Sequence, residues 1–270
     1  MRRAAFVATA AAAAVLPART ARAAPTGLTF DPRTTIPVVR ARAFGREVIF
    51  AIDTGSAISV LSPPIADSLN LTAQTLPGVF LGGVALREHP MAIAQLPRWD
   101  ALTGFLLDGV LGYEAFRDRA VTLDYRTGRL TFPELLPDGE TTAITWLRYD
   151  DRPTPLVTFG DLKVDGFPAV AQLDTMMTKT AIVFETKLPD LAIDNDPRAP
   201  AYEYAGEPLR PGRIGSIRLG TTTLAASVHV YAADARAHVP VTEISLIAGI
   251  GLFARRALTI DIPNARLIVS

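Results

Sequence analysis

The chain of 270 residues contains no cysteine. Disulfides, thiolate metal sites, iron–sulfur clusters, thiol catalysis and cysteine-anchored lipidation are therefore excluded together. Histidine is nearly as scarce: His89, His229 and His238 stand too far apart for a helical metal motif such as H-E-x-x-H, so no metal and no other cofactor is expected. An excess of either charge is missing too. Twenty-seven basic side chains balance 27 acidic ones, and all the cations but Lys163, Lys179 and Lys187 are arginines scattered along the chain. Nothing in that distribution is the electrostatic footprint of a nucleic-acid binder. No G-x-S-x-G, S-x-x-K or Walker loop occurs, which leaves serine-hydrolase and nucleotide-binding readings without local support.

Long hydrophobic runs are absent beyond the first residues. Residues 1–23 read MRRAAFVATAAAAAVLPARTARA: two arginines, an apolar run from Ala4 to Leu16, a proline, and Ala21-Arg22-Ala23 as an A-x-A cleavage signal. That run is well short of the roughly 20 residues a membrane span needs, so the segment reads as a secretory signal removed after Ala23. Export to the periplasm or beyond is expected, with no membrane insertion after processing. Removal takes four arginines and no acid, leaving a mildly acidic mature chain.

What is present is a series of short apolar stretches broken by Gly, Pro, Asp and Asn: PVVRARAF, EVIFAID, GRLTF, LVTFGDLKV, SVHVYA, LTIDI and RLIV. Their length and β-branched content predict an all-β fold with few and short helices, around 64–70 and 113–117. The series also repeats. GVLGYEAFRDRAVTLDYRTGRLTF at 109–132 and LIAGIGLFARRALTIDIPNARLIV at 246–269 agree without a gap at Gly112/Gly249, Phe116/Phe253, Arg119/Arg256, Ala120/Ala257, Thr122/Thr259, Asp124/Asp261, Arg129/Arg266 and Leu130/Leu267. Leu81-Gly82 with Leu86 matches Leu219-Gly220 with Leu224, and Gly45 precedes Asp53 as Gly166 precedes Asp174. The offset changes between these matches, which predicts an insertion in the second half. Residues 186–213, rich in proline and irregular, are the place for it. The chain therefore reads as a tandem duplication, with halves 24–137 and 138–270.

Each half sets an aspartate and a threonine after an apolar strand, FAIDTGSA at 50–57 and AQLDTMMT at 171–178, and later supplies DGVLG at 108–112 or IAG at 247–249. Alone, an Asp-Thr-Gly tripeptide marks an ordinary turn; its recurrence at matched positions in two repeats does not. The pattern resembles the pepsin and retropepsin superfamily of aspartic proteases, the first half over nearly its whole length and the second with DTMM in place of the family's DTGS or DTGA.

The resemblance implies two retropepsin-like barrel lobes related by pseudo-twofold symmetry with a cleft between them, and a secreted aspartic endopeptidase that acts on peptide or protein substrates as a monomer. It implies Asp53 and Asp174 as a catalytic pair. Like charges so close cannot both ionise cheaply, so the pair would share a proton and hold a water. Thr54 and Thr175 would cross-bond beneath it. Gly55 would offer its N–H to Asp53 and Ser56 its hydroxyl, and Val110-Leu111-Gly112 with Ile247-Ala248-Gly249 would thread the two loops. A flap is expected at 76–83, where Gly78 and Gly82 permit bending and Val79 and Phe80 could cover a peptide. Met176 stands where the family has glycine, and Met177 is expected to project into or near the cleft. If the backbone at Met176 needs a glycine-only conformation, the loop is strained or shifted. The alternative reading is a weakened or inactive relative that binds extended peptides. A further one pairs two chains through their DTGS halves. Asp124 and Asp261 are expected to be structural, in surface strands before turns. His89 is read as a surface or partly buried residue, and Trp99 and Trp146 as core or interface aromatics.

Overall fold

The structure is a computed structural model, and it describes residues 28–30, 36–72, 75–76, 78–96, 106–148, 155–204, 207–233 and 243–270. The expected signal segment, 1–23, and Trp99 lie outside them. Among the described residues each half contributes eleven strands. The first half runs β1 (Leu28–Thr29), β2 (Val38–Ala43), β3 (Arg46–Asp53), β4 (Ser59–Leu61), β5 (Thr75–Leu76), β6 (Val79–Leu81), β7 (Val84–Ala85), β8 (His89–Ile93), β9 (Gly109–Gly112), β10 (Ala120–Asp124) and β11 (Arg129–Thr131). The second runs β12 (Glu140–Leu147), β13 (Leu156–Val164), β14 (Phe167–Asp174), β15 (Ala181–Phe184), β16 (Asp194–Asn195), β17 (Tyr202–Tyr204), β18 (Glu207–Leu219), β19 (Thr222–Ala233), β20 (Leu246–Gly249), β21 (Ala257–Asp261) and β22 (Arg266–Val269). The protein is all-β. The helical pieces among the described residues are one short α-helix, Pro63–Ser68, and 3-10 turns at Tyr113–Phe116, Glu185–Lys187 and Ile250–Phe253. None of them is long and apolar enough to cross a membrane.

Local chemistry accounts for the strands that carry the site. In β2 the sequence VVRARA turns Val39, Ala41 and Ala43 inward and Arg40 and Arg42 outward, the period of two that a half-buried strand requires. The chain then reverses at Phe44 and Gly45, both with positive φ (54° and 78°), the primed turn whose twist matches that of the strands it joins. Asp165 and Gly166 (47° and 91°) do the same between β13 and β14. These two hairpins deliver Asp53 and Asp174 to equivalent strand ends.

The strands form an eight-stranded sheet from the first half alone and a 14-stranded sheet that continues from the first half into the second. Where they join, β10 and β21 run antiparallel with Thr122 opposite Thr259, and the two hydroxyls are 2.7 Å apart. These threonines are matched positions of the sequence repeat, so the register places them on the axis relating the halves. Outward from that axis β10 pairs with β11 and β11 with β1, while β21 pairs with β22 and β22 with β12. The strand order is the same on both sides. One apolar cluster runs through both halves and includes the matched Phe116 and Phe253. Tyr113 of the first half packs on Trp146 of the second, ring centroids 5.3 Å apart, so Trp146 is an interface aromatic.

The segment expected to be irregular is so only in part, over 188–193 and 196–201. It contains β16, β17 and the first residues of β18, the last with Pro208 and Pro211 inside it. Proline has no N–H to give a ladder and argues against a central strand. Here Pro208 lies opposite Glu203 of the two-stranded extension with β17.

Candidate active site

In both halves the strand that ends in aspartate pairs in parallel with the strand that ends in the later glycine: Asp53 lies opposite Gly112 and Asp174 opposite Gly249. Each glycine passes directly under the loop that follows its aspartate. A Cβ on Gly112 would stand 2.5 Å from Ala57 O, and one on Gly249 2.2 Å from Lys179 O, so no larger residue fits at either position. Tyr113 N–H donates to Ser56 O, and Ile250 N–H to Met177 O. Buried Val110, Leu111, Ile247 and Ala248 thus hold both loops from below.

The two loops are also tied to each other. Thr54 N–H donates to Thr175 Oγ1 at 3.0 Å and Thr175 N–H to Thr54 Oγ1 at 3.2 Å. Each hydroxyl donates onward across the seam, Thr54 to Leu173 O at 3.2 Å and Thr175 to Ile52 O at 2.8 Å. Both threonines are 1% exposed or less, so these four bonds exchange no partner with water and fix the loops in register.

The carboxylates meet above this grip. The point that a Cβ would occupy on Gly55 lies 3.0 Å from Asp174 Cγ, 3.1 Å from Asp53 Oδ1 and 3.2 Å from Asp174 Oδ1. Gly55 does not have a left-handed φ. What requires glycine is space between two acids. Gly55 N–H donates to Asp53 Oδ1 at 2.8 Å, and Met176 N–H makes the matching bond to Asp174 Oδ1 at 2.9 Å, joined by Met177 N–H at 2.9 Å. Burial, and then the neighbouring Asp174 charge, push the Asp53 carboxyl up to about 8 against the pull of the Gly55 and Ser56 N–H groups. Burial likewise raises Asp174, opposed by the N–H groups of Met176 and Met177 and by the hydroxyl of Tyr204. Two acids so placed retain a proton at pH values where isolated carboxyls are ionised, and the resulting titration belongs to the pair.

Several expected roles change. Ser56 gives its hydroxyl to Ile58 O at 2.9 Å and reaches Asp53 through its backbone N–H instead. Met176 is not in a glycine-only conformation, so no strain arises there. Its side chain, half-buried, packs against Ile36, Val38, Ala51 and Val110 of the first half. Met177 does not project into a cleft; it is 2% exposed in a second-half cluster with Leu156, Ile182 and Phe184. Asp261 is not on the surface but 2% exposed, held by Asn264 and Arg266 of its own hairpin, while Asp124 holds Arg126. His89 is 1% exposed, with Nδ1 2.8 Å from Arg87 O and Nε2 without a hydrogen-bond partner among the described residues, and burial holds its pKa below the usual value.

The expected flap is also misplaced. β6 pairs with the end of β2, Val79 opposite Ala43 and Phe80 opposite Arg42, and Gly82 lies in a surface depression with Gly45 and Glu47. That is the end of the β2–β3 hairpin remote from Asp53, about 20 Å away at the rise of an extended strand. Gly78, Val79, Phe80 and Gly82 therefore close the far end of the first half, as the Gly220 turn does in the second, which explains why Leu81-Gly82 matched Leu219-Gly220. Among the described residues, the segment expected to hold the insertion reaches Asp174. Its strand β17 carries Tyr204, whose hydroxyl donates to Asp174 Oδ2 at 3.4 Å. Sequence reasoning missed Tyr204 because the insertion has no counterpart in the first half against which to align it.

Compared with protein-family models and with curated proteins, the chain matches none. Among the described residues no group of three or more His, Asp or Glu side chains is arranged to hold a metal ion.

Proposed function

We propose that the chain is a two-lobed aspartic endopeptidase of the pepsin and retropepsin superfamily, with one lobe in each half and the cleft at their seam. The observation that carries this reading is the convergence of Asp53 and Asp174 on one point beside Gly55, over threonines that cross-bond the halves. In the proposed reaction one carboxylate takes a proton from a water as its oxygen attacks the peptide carbonyl carbon. The other, protonated, gives its proton to the carbonyl oxygen. The tetrahedral intermediate then expels the amine, which takes up a proton from one carboxyl as the C–N bond breaks, while a hydroxyl of the intermediate returns a proton to the other carboxylate as the carboxylic acid forms. The Gly55, Met176 and Met177 N–H groups do not enter the bond changes; they orient the carboxylates and favour their ionised forms against burial.

Met176 does not weigh against activity on this reading, because the backbone donor that glycine would supply is present. The raised carboxyls favour a singly protonated pair well above pH 4, so cleavage should extend from mildly acidic toward neutral pH. The reading of residues 1–23 as an export signal puts that activity in the periplasm or outside the cell. The test is hydrolysis of an unfolded protein by the mature chain with and without a statine-type mimic of the tetrahedral intermediate. Cleavage that the mimic abolishes is expected, and cleavage indifferent to it would reject the mechanism.

A further inference from the structure

The inserted segment does more than carry Tyr204. With β18, β19 and the loop after Asp174 it walls a cavity of about 910 Å³, lined among others by Lys179, Asp196, Arg198, Arg213, His229 and Tyr231. Three of the lining side chains are cations at neutral pH and one is an acid. That acid, Asp196, is 8% exposed and already engaged: His229 Nδ1 lies 3.1 Å from it, Arg213 lies 3.8 Å away, and Arg198 N–H donates to it. Arg213 also binds Ser227. Lys179 is different. Its ammonium lies over the rings of Tyr202 and Tyr231, 4.9 Å and 5.7 Å from their centroids, and among the described residues no carboxylate is within ion-pair distance of it. The rings hold the cation in place and leave its three N–H donors without an acceptor.

The cavity borders the loop that carries Asp174, since Thr178, Lys179 and Thr180 line it. Lys179 follows Asp174 on the same loop, and Tyr202 and Tyr204 share one face of β17, about 7 Å apart at the rise of a strand. One of them bonds Asp174 and the other bears the ammonium. An extended peptide has that same spacing between side chains on one face.

We propose that this cavity is a subsite for an acidic side chain of the peptide substrate, with Lys179 as its charge partner and the acid about two or three residues from the cleaved bond. This rests on the endopeptidase reading, and it makes the substrate class an acidic extended peptide.

The experiment uses acetylated, amidated octapeptides with a Phe-Leu centre and alanine flanks, in which one flanking residue at a time is Glu, Gln or Lys. Binding to the Asp53→Asn protein is read by competition with a fluorescent member of the set, and cleavage by the unsubstituted protein is read by mass spectrometry. At one flanking position Glu should bind about tenfold more tightly than Gln. Lys179→Gln should remove that preference, Lys179→Glu reverse it in favour of Lys, and Lys179→Arg retain it. Equal binding of the Glu and Gln peptides, or an unchanged order in folded Lys179→Glu protein, overturns the subsite. A preference that arises only with a free C-terminal carboxylate overturns the side-chain assignment. Charge-selective binding without cleavage would sink the hydrolase and leave the subsite; cleavage without charge preference would do the reverse. Neither binding nor cleavage contradicts both.

Discussion

Asp53 and Asp174 are legible in the sequence as a repeated Asp-Thr, but their protonation is not. It depends on Gly55 leaving room for both carboxyls and on the burial of that place, which only the folded seam supplies. The raised pKa values have a measurable cost. An unfolded Asp53 releases its proton near the ordinary carboxylate pKa of about 3.9, whereas the folded one keeps it up to about 8. Between those values the folded state binds more protons than the unfolded, so this group makes stability fall as pH rises. Below about pH 4 both states are protonated and the effect vanishes. Asp53→Asn should therefore raise the melting temperature at pH 7 and leave it nearly unchanged at pH 3.5, by thermal unfolding at both pH values. A variant less stable at pH 7 would mean that Asp53 is ionised in the fold. Met176 was open to misreading for a related reason. A glycine can be required by conformation or by space, and a motif does not say which. At Gly55 it is space, and at Met176 the side chain finds room against the first-half cluster that contains Val38 and Val110.

At the scale of elements, the hairpins with Gly45 and Gly166 and the short helices were readable because their signals are local: positive-φ turns, alternating burial and a proline-led first turn. The lid was not. Glycines in LPGVFLGG indicate a bending hairpin but not which end of the sheet it closes, and that is decided by the pairing of β6 with the far end of β2. Strand β18 was hidden by its prolines. Among the described residues it is β17 that brings a side chain to Asp174, and two substitutions separate a role for it from one for β6. Tyr204→Phe removes a hydrogen bond that favours the ionised Asp174, worth about 1 kcal/mol, so the acid limb of the pH–rate profile should move upward and the rate at low pH fall about three- to tenfold. Phe80→Ser, at an exposed position of the other hairpin, should change the cleavage rate by less than about twofold. A profile unmoved by Tyr204→Phe, or a large loss from Phe80→Ser, would return the lid to the first half.

At the scale of the whole molecule, the two halves read from the sequence repeat meet where Thr122 faces Thr259. Repeat matching found both residues, yet it could not show that they touch, because identical offsets arise whether the halves face each other or sit apart. Their hydroxyls bond each other in a buried place, which gives a clean cycle. Thr122→Val or Thr259→Val alone leaves the other hydroxyl without its partner and should cost about 1–3 kcal/mol in denaturant unfolding. The double substitution should cost less than the two combined, with coupling of about 1 kcal/mol. Strict additivity would mean that the strands do not meet in solution as described. The same seam brings the two acids together, and the account depends most on their acting as one unit. The direct measurement is the rate of peptide cleavage at pH 5.5 by Asp53→Asn, Asp174→Asn and the double variant. Each single change should lower the rate by about 10³-fold or more, and the double change should lower it no further. Persistence of cleavage in Asp174→Asn, or losses that multiply in the double variant, would show that the carboxylates do not share one proton.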